Sequence, residues 1–177
     1  MDISSAKKLL RSLIGDDCFL EIKDNVNSYF DVAQKQIATT VDFIKRCIEA
    51  KGPAKVCLPE GGMRIVKVVS DGKSEIVDKG CVQLLDNADY KIYYYAYPAT
   101  LDESTPDSYE FEVSPEAHSA IVFFAAANAV ITDNDMRPYY AFNDRYNNIL
   151  ENIAKSRSDF GAVRVISFKG EGEYGVY

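Results

Sequence analysis

The sequence predicts an α+β protein: a small helical bundle of about four helices, with a β-hairpin or antiparallel β insertion between helices 2 and 3, and a C-terminal strand or arm. Two observations indicate this class. Apolar residues recur at steps of three or four towards both ends of the chain, which is typical of helices with one buried stripe. Between them, short runs of Val, Ile and Tyr are separated by glycine-containing turns. We assign 1–53 and 99–160 to the bundle, 54–98 to the β insertion and 161–177 to the C-terminal arm.

Two helices are predicted before the insertion. The first spans 6–14, where leucines and an isoleucine share one face and Gly15 can end the helix. The second runs from about 27 to 50 and is ended by Pro53, which cannot continue the helical hydrogen bonds. Its apolar positions follow one another at steps of three or four: Phe30, Ala33, Ile37, Val41, Ile44 and Ile48.

The insertion is expected to contain three or four strands. Asp71-Gly72 lies between β-branched runs and predicts a hairpin turn, since both residues tolerate positive φ. On the strand YKIYYYAYP, Tyr93, Tyr95 and Tyr97 face one way. Sheet packing with the hydroxyl groups at the rim is the commoner explanation of such a stripe, and a surface for protein contact or sugar stacking is the alternative.

The uncharged run AIVFFAAANAV, residues 120–130, is expected to form the central helix of the core. A membrane-spanning helix needs about 20 apolar residues, and charged residues flank this shorter run, so we expect no membrane span. Ser114-Pro115-Glu116 is a typical helix start. A last helix, with Pro138 in its first turn, runs to about residue 156, and AVRVISF after it is strand-like.

The composition suits one compact domain and argues against several classes of function. The chain has 177 residues, of which 47% are hydrophobic, with 20 basic and 27 acidic residues and a net charge of −7. An acidic surface repels phosphate backbones, and no Lys/Arg cluster indicates a nucleic-acid reader. The N-terminus lacks the apolar region of a signal peptide, so we expect a reducing compartment and four buried free thiols.

No motif indicates catalysis, a metal site or a cofactor. The four cysteines contain no CxxC pair, and His118 is the one histidine of the chain, so a zinc site and a catalytic triad are both improbable. We expect His118 to be a partly exposed residue at a helix start. Asp133-Asn134-Asp135 resembles the start of a calcium loop but lacks the glycine and glutamate that follow in an EF-hand, so we expect a turn.

Several segments carry a family resemblance through their order. The tyrosine strand ends in YYYAYPATL, TPDSYEFEV follows as a polar link, and SPEAHSAIVFFAAANAVITDND leads to the amphipathic YYAFNDRYNNILENI. The stretch CLPEGGMRIVKVVSDG precedes them in the β part. In this order the chain, from about residue 24 to 155, resembles the head–tail connector, or neck adaptor, proteins of tailed phages. The β insertion is a departure from the all-helical members of that family.

The resemblance implies a non-enzymatic virion structural protein, made in the host cytoplasm and located in the neck. Such adaptors form homo-oligomeric rings, usually dodecameric, between the portal protein and the next neck or tail protein, and DNA passes through them without specific binding. Neither a membrane nor a cofactor is implied. The expected contact residues are on the tyrosine strand and in the C-terminal arm: Tyr93, Tyr95, Tyr97, Val163, Val165 and Phe168. The alternatives are another tail-completion or baseplate protein, or a monomeric module whose tyrosines hold a glycan or peptide.

Overall fold

The computed structural model describes residues 1–131 and 136–159, and over these ranges it contains five α-helices, one 3-10 turn and six strands. The helices are α1 (Ile3–Ile14), α2 (Asp16–Ile22), α3 (Val26–Thr40), α4 (His118–Val130) and α5 (Arg137–Asp159), with the 3-10 turn Pro115–Ala117 before α4. The strands are β1 (Ile44–Lys51), β2 (Ala54–Cys57), β3 (Gly62–Val69), β4 (Ser74–Ile76), β5 (Cys81–Leu84) and β6 (Asp89–Ala96).

The chain is mixed α+β, but the predicted architecture of about four helices with one β-hairpin insertion is wrong. The strands form two separate three-stranded antiparallel sheets, ordered β1-β6-β3 and β2-β5-β4. We call the first the tyrosine sheet and the second the disulfide sheet. No hairpin forms at Asp71-Gly72, because β3 pairs with β6 and β4 pairs with β5. The predicted C-terminal strand, with Val163, Val165 and Phe168, lies outside the described residues, as does the turn at 133–135.

The predicted helix from 27 to 50 is also wrong in its second half. Helix α3 ends at Thr40, and residues 44–51 form β1 instead. Ile44 and Ile48 are four residues apart, a spacing that suits one helix face and also one strand face, because four is a multiple of two. The pairing of β1 with β6 along its whole length, from Ile44–Ala96 to Lys51–Asp89, decides for the strand.

The inner faces of the two sheets share one small core. Val82 and Leu84 of β5 are fully buried together with Tyr90 and Ile92 of β6. The Tyr90 hydroxyl donates to the carbonyl of Lys73 at 2.8 Å, which satisfies its one donor inside the core. Gly72 lies so close to this hydroxyl that a Cβ atom there would collide with it. The glycine is therefore required by close approach and not by a hairpin.

The helical core is organised around α4, as the sequence predicts. Helix α4 contacts α1, α3 and α5, and nine of its 13 residues are buried. Ala120, Ala125 and Ala126 are fully buried. Such small side chains allow neighbouring helices to approach closely, so this uncharged run is a packed core helix. Within the described ranges, no helix has the length and apolar character needed to cross a membrane.

A polar junction lies around Asp42, just before β1. Its carboxylate is buried and accepts hydrogen bonds from the Ser114 amide, ahead of α4, and from the Arg157 guanidinium near the end of α5. Arg157 also donates to the carbonyl of Val41. Burial alone would raise the pKa of the Asp42 carboxyl, but these donors outweigh it and hold the pKa below its ordinary value. An ionised Asp42 thus fixes the start of β1 against two helices.

Candidate interaction surface

The tyrosine strand β6 has one buried and one exposed face, as its alternation predicts. Tyr90, Ile92, Tyr94 and Ala96 are buried, whereas residues 89, 91 and 93, which alternate with them, are exposed. Tyr93 is 37% exposed and Tyr97 is 43% exposed, which leaves ring area available for a partner. The role of these rings as contact residues stays a prediction.

Tyr95 differs from its neighbours because its ring is already engaged within the chain. It stacks on Phe43, with ring centroids 4.7 Å apart, and the guanidinium carbon of Arg64 lies 5.2 Å from the Tyr95 centroid. The same guanidinium is 6.0 Å from the Phe43 ring, within cation–π range. Tyr95 therefore orients Arg64, while Tyr93 and Tyr97 keep more free surface.

The register of the tyrosine sheet shows which side chains surround the tyrosines. Paired residues of adjacent antiparallel strands project from the same face of a sheet. Lys45 and Arg64 lie opposite Tyr95, and Cys47 and Lys67 lie opposite Tyr93. We call this outer surface the basic–aromatic face, and it consists of Lys45, Cys47, Glu49, Lys51, Arg64, Lys67, Val69, Asp89, Lys91, Tyr93 and Tyr95.

The basic–aromatic face is positively charged although the chain is acidic. It carries five cationic and two anionic side chains, a net charge of +3, on a chain whose net charge is −7. One ion pair lies within it, between Lys91 and Glu49 at 3.4 Å. The sequence alone did not reveal this cluster, because its members come from three strands that become neighbours only through β-pairing. The register was the missing information.

Two cysteines of the β unit are bonded to each other, so the expectation of four free thiols is wrong. Cys57 of β2 and Cys81 of β5 are register partners with their Cα atoms 4.1 Å apart, and they form a disulfide. The bond joins two strands of the disulfide sheet across 24 residues of sequence. No CxxC motif marks it, since the two cysteines meet through strand pairing. Cys47, on the basic–aromatic face, is an exposed free thiol.

His118 is buried and hydrogen-bonded, which corrects the expectation of a partly exposed residue. One ring nitrogen, Nε2, lies 2.9 Å from the Val113 carbonyl and therefore carries a proton. The other, Nδ1, lies 2.7 Å from the amino group of Met1 and accepts from it. Burial, aided by the nearby positive amino group, lowers the pKa of His118 below its ordinary value. A neutral histidine with both nitrogens occupied is a structural element.

Glu112 forms a second polar tie, between β1 and the link that joins β6 to α4. Its carboxylate accepts from Arg46 of β1 at 2.6 Å, from the Tyr109 hydroxyl at 2.9 Å and from the Ala99 amide at 3.2 Å. Burial would raise the pKa of this carboxyl, yet the three donors keep it below the ordinary value. Burial and the adjacent carboxylate raise the pKa of Tyr109, which stays protonated. These fixed charge states suit a structural tie more than acid–base catalysis.

A second charged surface lies around the beginning of α3. Lys7, Lys23, Asp24, Asn27 and Glu103 line a depression there. We call its acidic surroundings the acidic end, formed by exposed carboxylates on the α2–α3 connection and on the link after β6: Asp24, Asp102, Glu103 and Asp107. The amide of Asn27 donates to the Asp102 carbonyl at 2.7 Å, and Lys7 pairs with Asp107 at 2.8 Å, so these segments are held together.

Comparison with known proteins adds no relative: no protein-family model matches the chain, and no curated protein is significantly similar to it. Among the described residues, His, Cys, Asp and Glu side chains do not gather in groups of three or more that suit a metal ion. The candidate functional surfaces of this part of the chain are the basic–aromatic face and the acidic end.

Proposed function

We propose that this protein is a non-enzymatic structural protein of a tailed-phage virion, a neck adaptor that forms a ring between the portal and tail components. The observation that carries the proposal is the order of the segments that resemble such adaptors. The tyrosine strand β6 leads through a polar link into the Pro-Glu start of α4, which packs against α5. This is the succession of strand end, alanine-rich helix and amphipathic helix on which the resemblance rests.

The distribution of buried and exposed residues supports an assembly role. In the described part of the chain, the uncharged run forms α4 and is buried in the core. Aromatic and charged groups lie on an exposed sheet face. Tyr and Arg are enriched at protein–protein interfaces, and both occur on the basic–aromatic face. The proposed partners are further copies of the chain, the portal protein and the next neck or tail protein, with DNA passing through the ring without specific binding. The proposed location is the virion neck, after synthesis in the host cytoplasm.

The solution mass tests this proposal directly. Mass photometry of the full chain over a range of concentrations should show a discrete species of about a dozen subunits, the ring size that the resemblance implies, and negative-stain images should show closed rings. A chain that stays monomeric at every concentration, and remains so when a portal from a tailed phage with this neck arrangement is added, would contradict the proposal.

A monomeric binding module is the second candidate, favoured by the exposed rings of Tyr93 and Tyr97. In that case Y93A and Y97A should abolish retention on a glycan or peptide array while the chain stays monomeric. A neck adaptor with the same substitutions should show weaker contact between subunits or with the portal and should bind no array component. Array binding and oligomer mass together therefore separate the two candidates.

A further inference from the structure

We propose that the basic–aromatic face of one copy docks on the acidic end of a second copy, in a head-to-tail contact repeated around the assembly. This inference rests on the proposed ring-forming function and names the two surfaces that would form the ring. The occupant of the exposed sheet face is thus a second copy of this chain. The following observations carry the assignment.

The first observation is charge complementarity. The basic–aromatic face has a net charge of +3, which leaves −10 for the rest of the chain. Lys45 and Lys67 flank the tyrosines on β1 and β3, and neither forms an ion pair with a described residue. Charges left unpaired on a folded monomer are available to a partner of opposite sign. Another copy of an acidic chain presents such a partner at high local concentration during assembly.

The second observation is that the acidic end has carboxylates in excess. Its four exposed acidic residues are accompanied by Lys7 and Lys23, and Lys7 is already paired with Asp107. Asp24 and Glu103 line the same depression, one from the α2–α3 connection and the other from the link after β6. Two elements therefore converge to present negative charge on one surface. Lysine ammonium groups at the rim of a partner's sheet suit such a surface.

The third observation is the position of the two surfaces along the molecule. Helix α3 has 15 residues and is therefore about 22 Å long. The acidic end lies at its beginning, whereas only three residues separate its last residue, Thr40, from β1 of the tyrosine sheet. The two complementary surfaces thus lie at opposite ends of α3. Different surfaces that mate head to tail generate a ring when the rotation between copies closes.

The size of the face sets the expected strength of the contact. Three strands spaced by about 4.8 Å, each eight residues long, give a face of roughly 14 by 27 Å. A patch of this size is smaller than a standard interface of about 800 Å² per partner. We therefore expect a single contact to be weak and salt-dependent, and ring closure to stabilise the assembly because each copy is then held twice.

Matched charge reversals test the contact by mass photometry of the full chain at low and high salt. K45E/K67E should reverse the charge of the basic–aromatic face, and D24K/E103K should reverse that of the acidic end. Each variant alone should then be monomeric under conditions where the unsubstituted chain assembles, because its two surfaces no longer have opposite charges. A mixture of the two should assemble with the variants alternating, because the intact surfaces match each other and the two reversed surfaces are again opposite in charge. The chain with all four reversals should assemble again. K55E/K73E, which changes two exposed lysines of the disulfide sheet region, should assemble like the unsubstituted chain.

Each alternative outcome separates this inference from the function on which it rests. Rings that persist in K45E/K67E overturn the docking assignment and leave the adaptor proposal standing. A monomer under all conditions overturns both. A monomer that binds a single-stranded oligonucleotide through its face, with binding lost in K45E/K67E, overturns the inference in favour of a nucleic-acid partner. Far-ultraviolet circular dichroism of every variant establishes that the charge reversals leave the fold intact.

Discussion

At the scale of single residues, Asp42 connects three segments of the described chain. Its buried carboxylate accepts from the Ser114 amide and from Arg157, so three segments depend on one charge. D42N should lower the free energy of unfolding by roughly 1–3 kcal/mol, because the amide cannot satisfy the same donors and leaves a buried N–H without a full partner. Urea unfolding followed by circular dichroism measures the difference. D71N, in an exposed turn, should change stability by less than about 0.5 kcal/mol.

His118 determines a pH dependence at the same scale. Because its pKa is lowered in the folded protein, the unfolded chain takes up the proton first as the pH falls below about 6.5. The contribution of His118 to the free energy of unfolding is therefore complete above about pH 6.5 and is lost as the pH falls below it. The groups facing the ring are the Met1 amino group and Glu110. Asp42 does not titrate in this window, since its pKa lies below the ordinary carboxyl value.

We expect the free energy of unfolding to fall between pH 7.5 and pH 5.5, and H118Q to reduce this fall. Glutamine keeps a donor for the Val113 carbonyl but does not titrate, so H118Q should be less stable than the parent chain at pH 7.5 and show a flatter pH profile. Urea unfolding at four or five pH values provides the profile. Equal slopes for the two proteins would assign the pH dependence to other groups.

At the scale of elements, the tight enclosure of α4 makes it intolerant of larger side chains. Ala125 is fully buried among the helices, whereas Ala141 of α5 is exposed. A125L should destabilise the protein by about 1–3 kcal/mol, because the added carbons must displace neighbouring helices or adopt strained rotamers. A141L makes the same chemical change on the surface and should be close to neutral. Thermal unfolding of the pair measures the effect, and equal melting temperatures would contradict the central position of α4.

The elements also show how far the sequence determines the fold. Helix α4 could be predicted because its uncharged run and its Ser-Pro-Glu start are local signals. Strand β1 could not be predicted, because Ile44 and Ile48 fit both the helix and the strand period. The choice depends on pairing with β6, which is distant in sequence. The exposure of Tyr93 between buried neighbours was also predictable, because the alternation of a strand is a local signal. The cationic neighbours of Tyr93 and the Cys57–Cys81 bond were not predictable, because both depend on the register between strands.

At the scale of the whole described molecule, the buried residues form two hydrophobic cores that are joined by polar ties. One core lies around α4 and the other between the two sheets. Links between the β unit and the helical part include the junction at Asp42, the contacts of Glu112 with Arg46 and Tyr109, and Ile44 of β1, which packs against the helical core. Each core has its own set of buried apolar contacts, so a perturbation inside one core should affect that core more than the other. The disulfide, which lies entirely in the β unit, allows this independence to be measured.

Removal of the disulfide in C57S/C81S should loosen the sheets and leave the helical core protected. The bond closes a loop across 24 residues of sequence, for which the chain-entropy model gives a stabilisation of about 3 kcal/mol. Hydrogen–deuterium exchange with peptide-level mass spectrometry should show faster exchange in β5 and β6 and unchanged exchange in α4. C47S, which replaces an exposed thiol outside the bond, is the matched control and should exchange like the parent chain. If α4 instead loses protection together with the sheets, the polar ties couple both cores into one cooperative unit. Mutations in the β unit would then alter the helical core as well, and the two surfaces proposed for head-to-tail contact could not vary independently.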